Sequence, residues 1–246
     1  MWAGCGVALL AYLGLPGRRL DRRALAWVAG VLIVFIALES GIDQVGDNYL
    51  FSAHMAQHLI LAMVAPPLLV WGLPREATTA LRQSWLGTPL RWLFAPALAG
   101  PAYLAILVGW HIPPLFEYAL THPAIHISQH LSFIAAGVVF WGAVRSCRPT
   151  GPSPWHGRRT FIFLMGCGAL PGLLVGLTLA LLPDPAYSYY LHRSVLLGIS
   201  PLADQRLGGW LMFLFDTVLM GTAAIVDLRH PAPSNQVVPV VERSVG

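Results

Sequence analysis

Nine histidines are spread unevenly along this chain, and four of them form two matched pairs. His54 and His58 are four residues apart, as are His126 and His130, so each pair projects from one face of a helix. The surrounding words repeat: His-Met-Ala-Gln-His-Leu at 54–59 and His-Ile-Ser-Gln-His-Leu at 126–131. Two helices carrying this word at one depth would face two imidazole pairs across a common axis, which is how metal sites are built inside helix bundles. Neutral imidazole suits copper, zinc, iron and nickel, and a nearby thioether favours Cu(I). Met55, beside the first pair, and Met212 are the candidate thioethers, each also a plausible packing residue. A zinc protease needs glutamate directly after the first histidine. Positions 55 and 127 are methionine and isoleucine, so that chemistry lacks its base. Haem is a rival, because two histidines on different helices can serve as axial ligands; a tight pair duplicated at one level suits a small ion better. All fifteen basic residues are arginine, so a retinal Schiff base and other lysine chemistry are excluded.

The elements that position these side chains follow from composition. The chain has 246 residues, 56% hydrophobic and only 11% charged, against about 25% charged in soluble domains. Mean hydropathy is +0.64. So few charges cannot cover a water-facing surface of this size. A single soluble domain and a disordered chain are excluded, and an all-α polytopic membrane bundle remains. Cys5, Cys147 and Cys167 make neither a disulfide framework nor a CxxC metal knuckle. The sequence predicts seven spans at about 1–17, 24–42, 50–73, 92–111, 123–144, 160–182 and 207–227, followed by a disordered tail at 228–246. The first run has no basic residues before it, unlike a signal peptide, and reads as a short, reverse-oriented first helix.

Arginine placement sets the orientation. Thirteen of the fifteen arginines fall in the 18–23, 75–91 and 145–159 connections and the C-terminal tail, which are therefore cytoplasmic. The N-terminus faces out. The basic residues lie in short clusters between apolar runs, a topology signal and not a nucleic-acid surface. Six histidines then share one slab near the outer face: His54, His58, His126 and His130 within the spans, His111 closing the fourth, and His122 just outside the fifth. Gln57 and Gln129 point about 100° away from their neighbours and read as interhelical hydrogen-bonders. Asp204 is a possible ligand or an N-cap. Asp216, about one turn below Met212, sits at a depth where a carboxylate implies a partner or a proton role. The tyrosine-rich outer connection, 183–206, suits a segment lying at the interface.

Four stretches together resemble one family. His54-Met-Ala-Gln-His-Leu-Ile-Leu-Ala-Met-Val-Ala-Pro-Pro-Leu-Leu-Val70, Trp110-His111-Ile112-Pro113, His126-Ile127-Ser128-Gln129-His130 and Asp204-Gln205-Arg206-Leu207-Gly208-Gly209 are similar, in identity and order, to the multi-spanning CtaG family of cytochrome c oxidase assembly factors. The single-span copper chaperone of the same name is unrelated. The resemblance implies a seven-span bundle in the bacterial plasma membrane that matures haem–copper oxidase and provides copper for its binuclear centre. On that reading the chain is not an enzyme. Copper is its cargo, and its partners are oxidase subunit I and an outer-side copper carrier. His54, His58, His126 and His130 hold the ion, and His111 completes or gates the site. Transport of copper across the bilayer ranks lower, because the inner half offers few polar residues for a relay: Asp216, Met63, Met165 and Cys167.

Overall fold

The computed structural model describes residues 2–146, 156–193 and 197–229, and among these every regular element is helical. The chain opens with α1 (Trp2–Leu13), α2 (Arg22–Glu39) and α3 (Gly41–Asn48). Asp21 caps α2 by accepting from the Arg23 and Ala24 amides, and Ser40 ends α2 and caps α3, bending the pair by 44°. Next come α4 (Phe51–Leu59), a wide π turn (Ile60–Val64) and α5 (Ala65–Gly72). The amphipathic α6 (Arg75–Gln83) leads to α7 (Gly87–Leu93) and α8 (Pro96–Trp110), bent by 58° where Pro96 begins a new helix. After α9 (Pro113–Thr121) and α10 (Pro123–Ser146), α11 (His156–Phe163) continues through two π segments into α12 (Leu177–Leu181), and α13 (Pro201–Arg229) closes the fold.

Among the described residues, four stretches are long and apolar enough to cross a bilayer: Phe51–Gly72, Pro123–Arg145, Arg158–Leu181 and Pro201–Leu228. Counting each bent pair, α2–α3 and α7–α8, as one span raises the number to six. The twelve residues of α1 fall short of the roughly 20 that a bilayer core requires. The last helix is longer than its sequence pattern suggested, starting at Pro201 and not near 207. Leu207, Leu214 and Val218 on it are more than half exposed, an apolar exterior suited to lipid. Cys147, His230 and the tail beyond it, together with the His156 side chain, lie outside the described residues.

The helix pair that carries the repeated histidine word runs parallel and in register. His54 meets His126, His58 meets His130, and further down the Arg145 guanidinium donates to the Val70 carbonyl at 2.6 Å. Close approach midway depends on two local features. Pro66 and Pro67 lack the N–H groups that would bond to the Ala62 and Met63 carbonyls, so the helix widens there, and the Ala65 amide donates five residues back to Ile60. Facing that turn is Gly137, where a β-carbon would stand 2.4 Å from the Ala62 carbonyl oxygen. Only glycine admits α10 this close. On the other side α4 packs along α13, while α10 packs on α8.

Candidate metal centre

The four histidines of the repeated words meet in one group. Each offers a ring nitrogen, and the four nitrogens all lie within 4.8 Å of one another. Ring centroids are 4.1 Å apart for His54–His58 and 4.2 Å for His126–His130 within the helices. Across the helices both the His54–His126 and the His58–His130 separations are 5.3 Å. His54, His58 and His130 are buried and His126 is partly so. Among the described residues, their Nε2 atoms are all buried without a protein hydrogen-bond partner, as is His58 Nδ1. A buried polar atom without a partner costs about 1–3 kcal/mol. Several such atoms converging on one point form a donor set for a cation.

A carboxylate organises two of these rings. Asp47 Oδ1 lies 3.1 Å from His54 Nδ1, and Oδ2 lies 3.5 Å from His126 Nδ1. A carboxylate accepts, so His54 Nδ1 carries the proton and its Nε2 keeps a free lone pair, while His126 Nδ1 lies within ion-pair reach of the other carboxylate oxygen. Asp47 reaches this place because α3 lies directly on α4: a β-carbon on Gly46 would stand 2.9 Å from the His54 Cα. Neither residue stood out in the sequence. Asp47 precedes His54 by seven residues, but the helix break at Tyr49–Leu50 intervenes and removes any periodic signal. Gln57 anchors the same corner as expected for a hydrogen-bonder, donating to the Ala37 carbonyl at 2.9 Å and to Asp43 Oδ1 at 2.6 Å. Gln129 is fully buried, and its amide finds no protein partner among the described residues.

The remaining candidates separate by geometry. His111 is buried beside the group, its ring 6.1 Å from that of His58; Nδ1 donates to the Leu107 carbonyl at 2.6 Å, and Nε2 lies 3.3 Å from Met55 Sδ. Met55, Met212, His58, His111 and Asp216 line one cavity of about 20 Å³. His122 does not join the group; it is exposed, stacks on Tyr118 at 3.9 Å and bonds to the Tyr118 carbonyl. Asp204 is fully buried, with both oxygens engaged by the first turn of α4: Oδ2 accepts from the Phe51 amide at 2.7 Å, and Oδ1 accepts from the Ser52 amide at 3.0 Å and hydroxyl at 2.6 Å. It is a cap, and the helix it caps is not its own.

The tyrosine-rich connection folds over the histidine group. Tyr187 and Tyr190 are buried, and the three tyrosines roof the group by donating to backbone carbonyls: Tyr187 to His111 at 2.9 Å, Tyr189 to Asp47 at 3.0 Å and Tyr190 to Gly46 at 2.7 Å. Burial, and secondarily the Glu117 and Asp47 carboxylates, raises the Tyr187 and Tyr190 phenols above their usual range, so both keep the donor proton these bonds require. Phe116 packs between His54 and Tyr187, with centroids at 5.4 and 4.3 Å.

The family model of the cytochrome c oxidase caa3 assembly factor, Caa3_CtaG, matches residues 7–230, a span that holds the whole histidine group and its roof. The chain belongs to that family. Among curated relatives of this caa3 assembly factor family member, uncharacterized proteins of Mycobacterium bovis and Mycobacterium tuberculosis are each 29% identical over 210 residues, covering 76% of this chain and 30% of theirs. One of Mycobacterium leprae is 30% identical over the same length, with the same coverage. The chain therefore spans about 30% of the length of these relatives. No solved structure matches.

Proposed function

We propose that this assembly factor holds copper at the His54, His58, His126 and His130 group and passes it to the copper centre of cytochrome c oxidase subunit I. An outer-side carrier supplies the ion. In this reading the segment at about 1–17, of which α1 is the helical part, is the short first span of a seven-span bundle with the N-terminus outside and the C-terminus cytoplasmic, in a bacterial plasma membrane. The arginine distribution puts the histidine group near the outer face, and the chain works as a metallochaperone without a reaction of its own. One observation carries the proposal: four imidazoles converge with their Nε2 atoms unpartnered among the described residues, two of them beside a single carboxylate. Ring centroids 4.1 and 4.2 Å apart within the helices and 5.3 Å across them suit one small ion, whereas axial haem ligands must stand on opposite sides of a macrocycle.

Metal and pigment analysis of the purified chain tests this. Copper should co-purify at close to one equivalent or less, with no Soret absorption. A Soret band with stoichiometric haem would replace the copper reading with an electron-transfer one.

Asp47 offers a second test. Replacing a carboxylate that orients a ligating histidine typically lowers metal affinity about 10–100-fold. Asp47→Asn should show that loss in chelator competition while the protein accumulates normally in the membrane. Unchanged affinity would mean that the carboxylate does not orient the ligands.

A further inference from the structure

We propose that Met55, His111 and Met212 form a second, soft-metal subsite beside the four-histidine group, with His58 common to both, and that copper occupies it as Cu(I). The inference rests on the copper reading above and specifies the ion's next position and oxidation state.

The argument begins at His111. A neutral imidazole has one N–H, and here Nδ1 spends it on the Leu107 carbonyl at 2.6 Å. Nε2 therefore presents a lone pair, and 3.3 Å away it meets the lone pairs of the Met55 thioether. Two donors facing each other inside a buried site repel unless a cation lies between them. With metal–nitrogen and metal–sulfur bonds of about 2.0 and 2.3 Å, a 3.3 Å separation subtends about 100° at a shared ion, near the tetrahedral angle.

The surroundings add ligands of the same softness. Met212 and His58 line the same cavity, whose volume of about 20 Å³ has room for about one water-sized species. Both His58 nitrogens are buried and unpartnered, so this ring can serve either neighbour. Met55 follows His54 directly and points about 100° around α4 from it. The thioether set thus lies to the side of the four-imidazole group and not within it. Thioether and imidazole together select Cu(I) over zinc and Cu(II). Asp216 is the carboxylate on the cavity wall, and its Oδ1 has no hydrogen-bond partner. The ion enters and leaves as Cu(I), so no electron is transferred. Because His58 is shared, one ion shifts between two ligand sets, and this keeps a buried site labile enough to give up its cargo.

The test loads the purified full chain anaerobically with Cu(I) and reads X-ray absorption together with chelator competition. The parent should show sulfur scattering at about 2.3 Å. The Met55→Leu/Met212→Leu variant, a volume-conserving change, should lose that scattering and bind Cu(I) about tenfold or more weakly. Its affinity for Zn(II), which imidazoles alone can hold, should change less than about twofold. His126→Gln should weaken binding yet keep the sulfur shell. A parent that binds Cu(I) with nitrogen scatterers only would overturn the thioether subsite and leave the four-histidine reading intact. Sulfur scattering that persists in the double variant would also overturn it, since the sulfur would belong to other residues. A parent that binds no copper would overturn both readings.

Discussion

A chain carrying His58→Gln or His130→Gln should accumulate in the membrane at near-parental levels and fail to mature the oxidase. Glutamine keeps a polar side chain of similar reach but gives up the imidazole nitrogen that copper prefers. Copper retention should fall about tenfold or more, the equivalent of at least ~1.4 kcal/mol, and excess copper in the medium should partly restore maturation. The double variant should lose less than the sum of the single losses, because ligands of one ion are coupled. His122→Gln is the control: that ring is exposed and bonded to its own helix, so it should behave like the parent. The combination that would defeat the metal reading is specific. Gln variants would keep normal copper and oxidase, while His58→Ala and His130→Ala lose protein. The histidines would then be packing residues.

Asp204→Ala should have the opposite signature, with copper lost only because the protein is lost. Removing the carboxylate strands the Phe51 and Ser52 amides and the Ser52 hydroxyl in a buried position. The first amides of a helix have no partner within it, and a negative group there also opposes the helix dipole. Losing a cap costs about 0.5–2 kcal/mol, and charge-assisted buried bonds contribute about 1.5–3 kcal/mol each. Losing even two of the three bonds removes about 3–6 kcal/mol, a large share of a typical 5–15 kcal/mol stability. Membrane levels and the thermal midpoint of the purified protein should both drop steeply. Asp204→Asn, which keeps one carbonyl acceptor, should fall between Ala and parent. A well-folded Asp204→Ala protein lacking only its metal would instead make this residue a ligand.

Much of this protein is legible from local order in the chain. The shortage of charge requires helices that bury their backbone hydrogen bonds in lipid. The four-residue spacing puts His54 with His58 and His126 with His130, because 3.6 residues make a turn wherever the helix sits. The repeated word predicts that the two pairs face each other, and in the structure their helices are parallel and in register. Tertiary structure decided the rest, since those contacts join residues with no periodic relation. Asp47 reaches His54 and His126 only because α3 breaks from α4 and Gly46 lets it lie flat on the His54 backbone. Asp204 was legible as a capping type, but which helix it caps depends on α13 packing along α4, 153 residues away in sequence. The tyrosines of the 183–206 connection carry an interfacial composition. They become a roof because the carbonyls of His111, Gly46 and Asp47 accept their hydroxyls. Spacing along one helix is set by backbone geometry; which donor meets which acceptor across helices is set by how their surfaces pack.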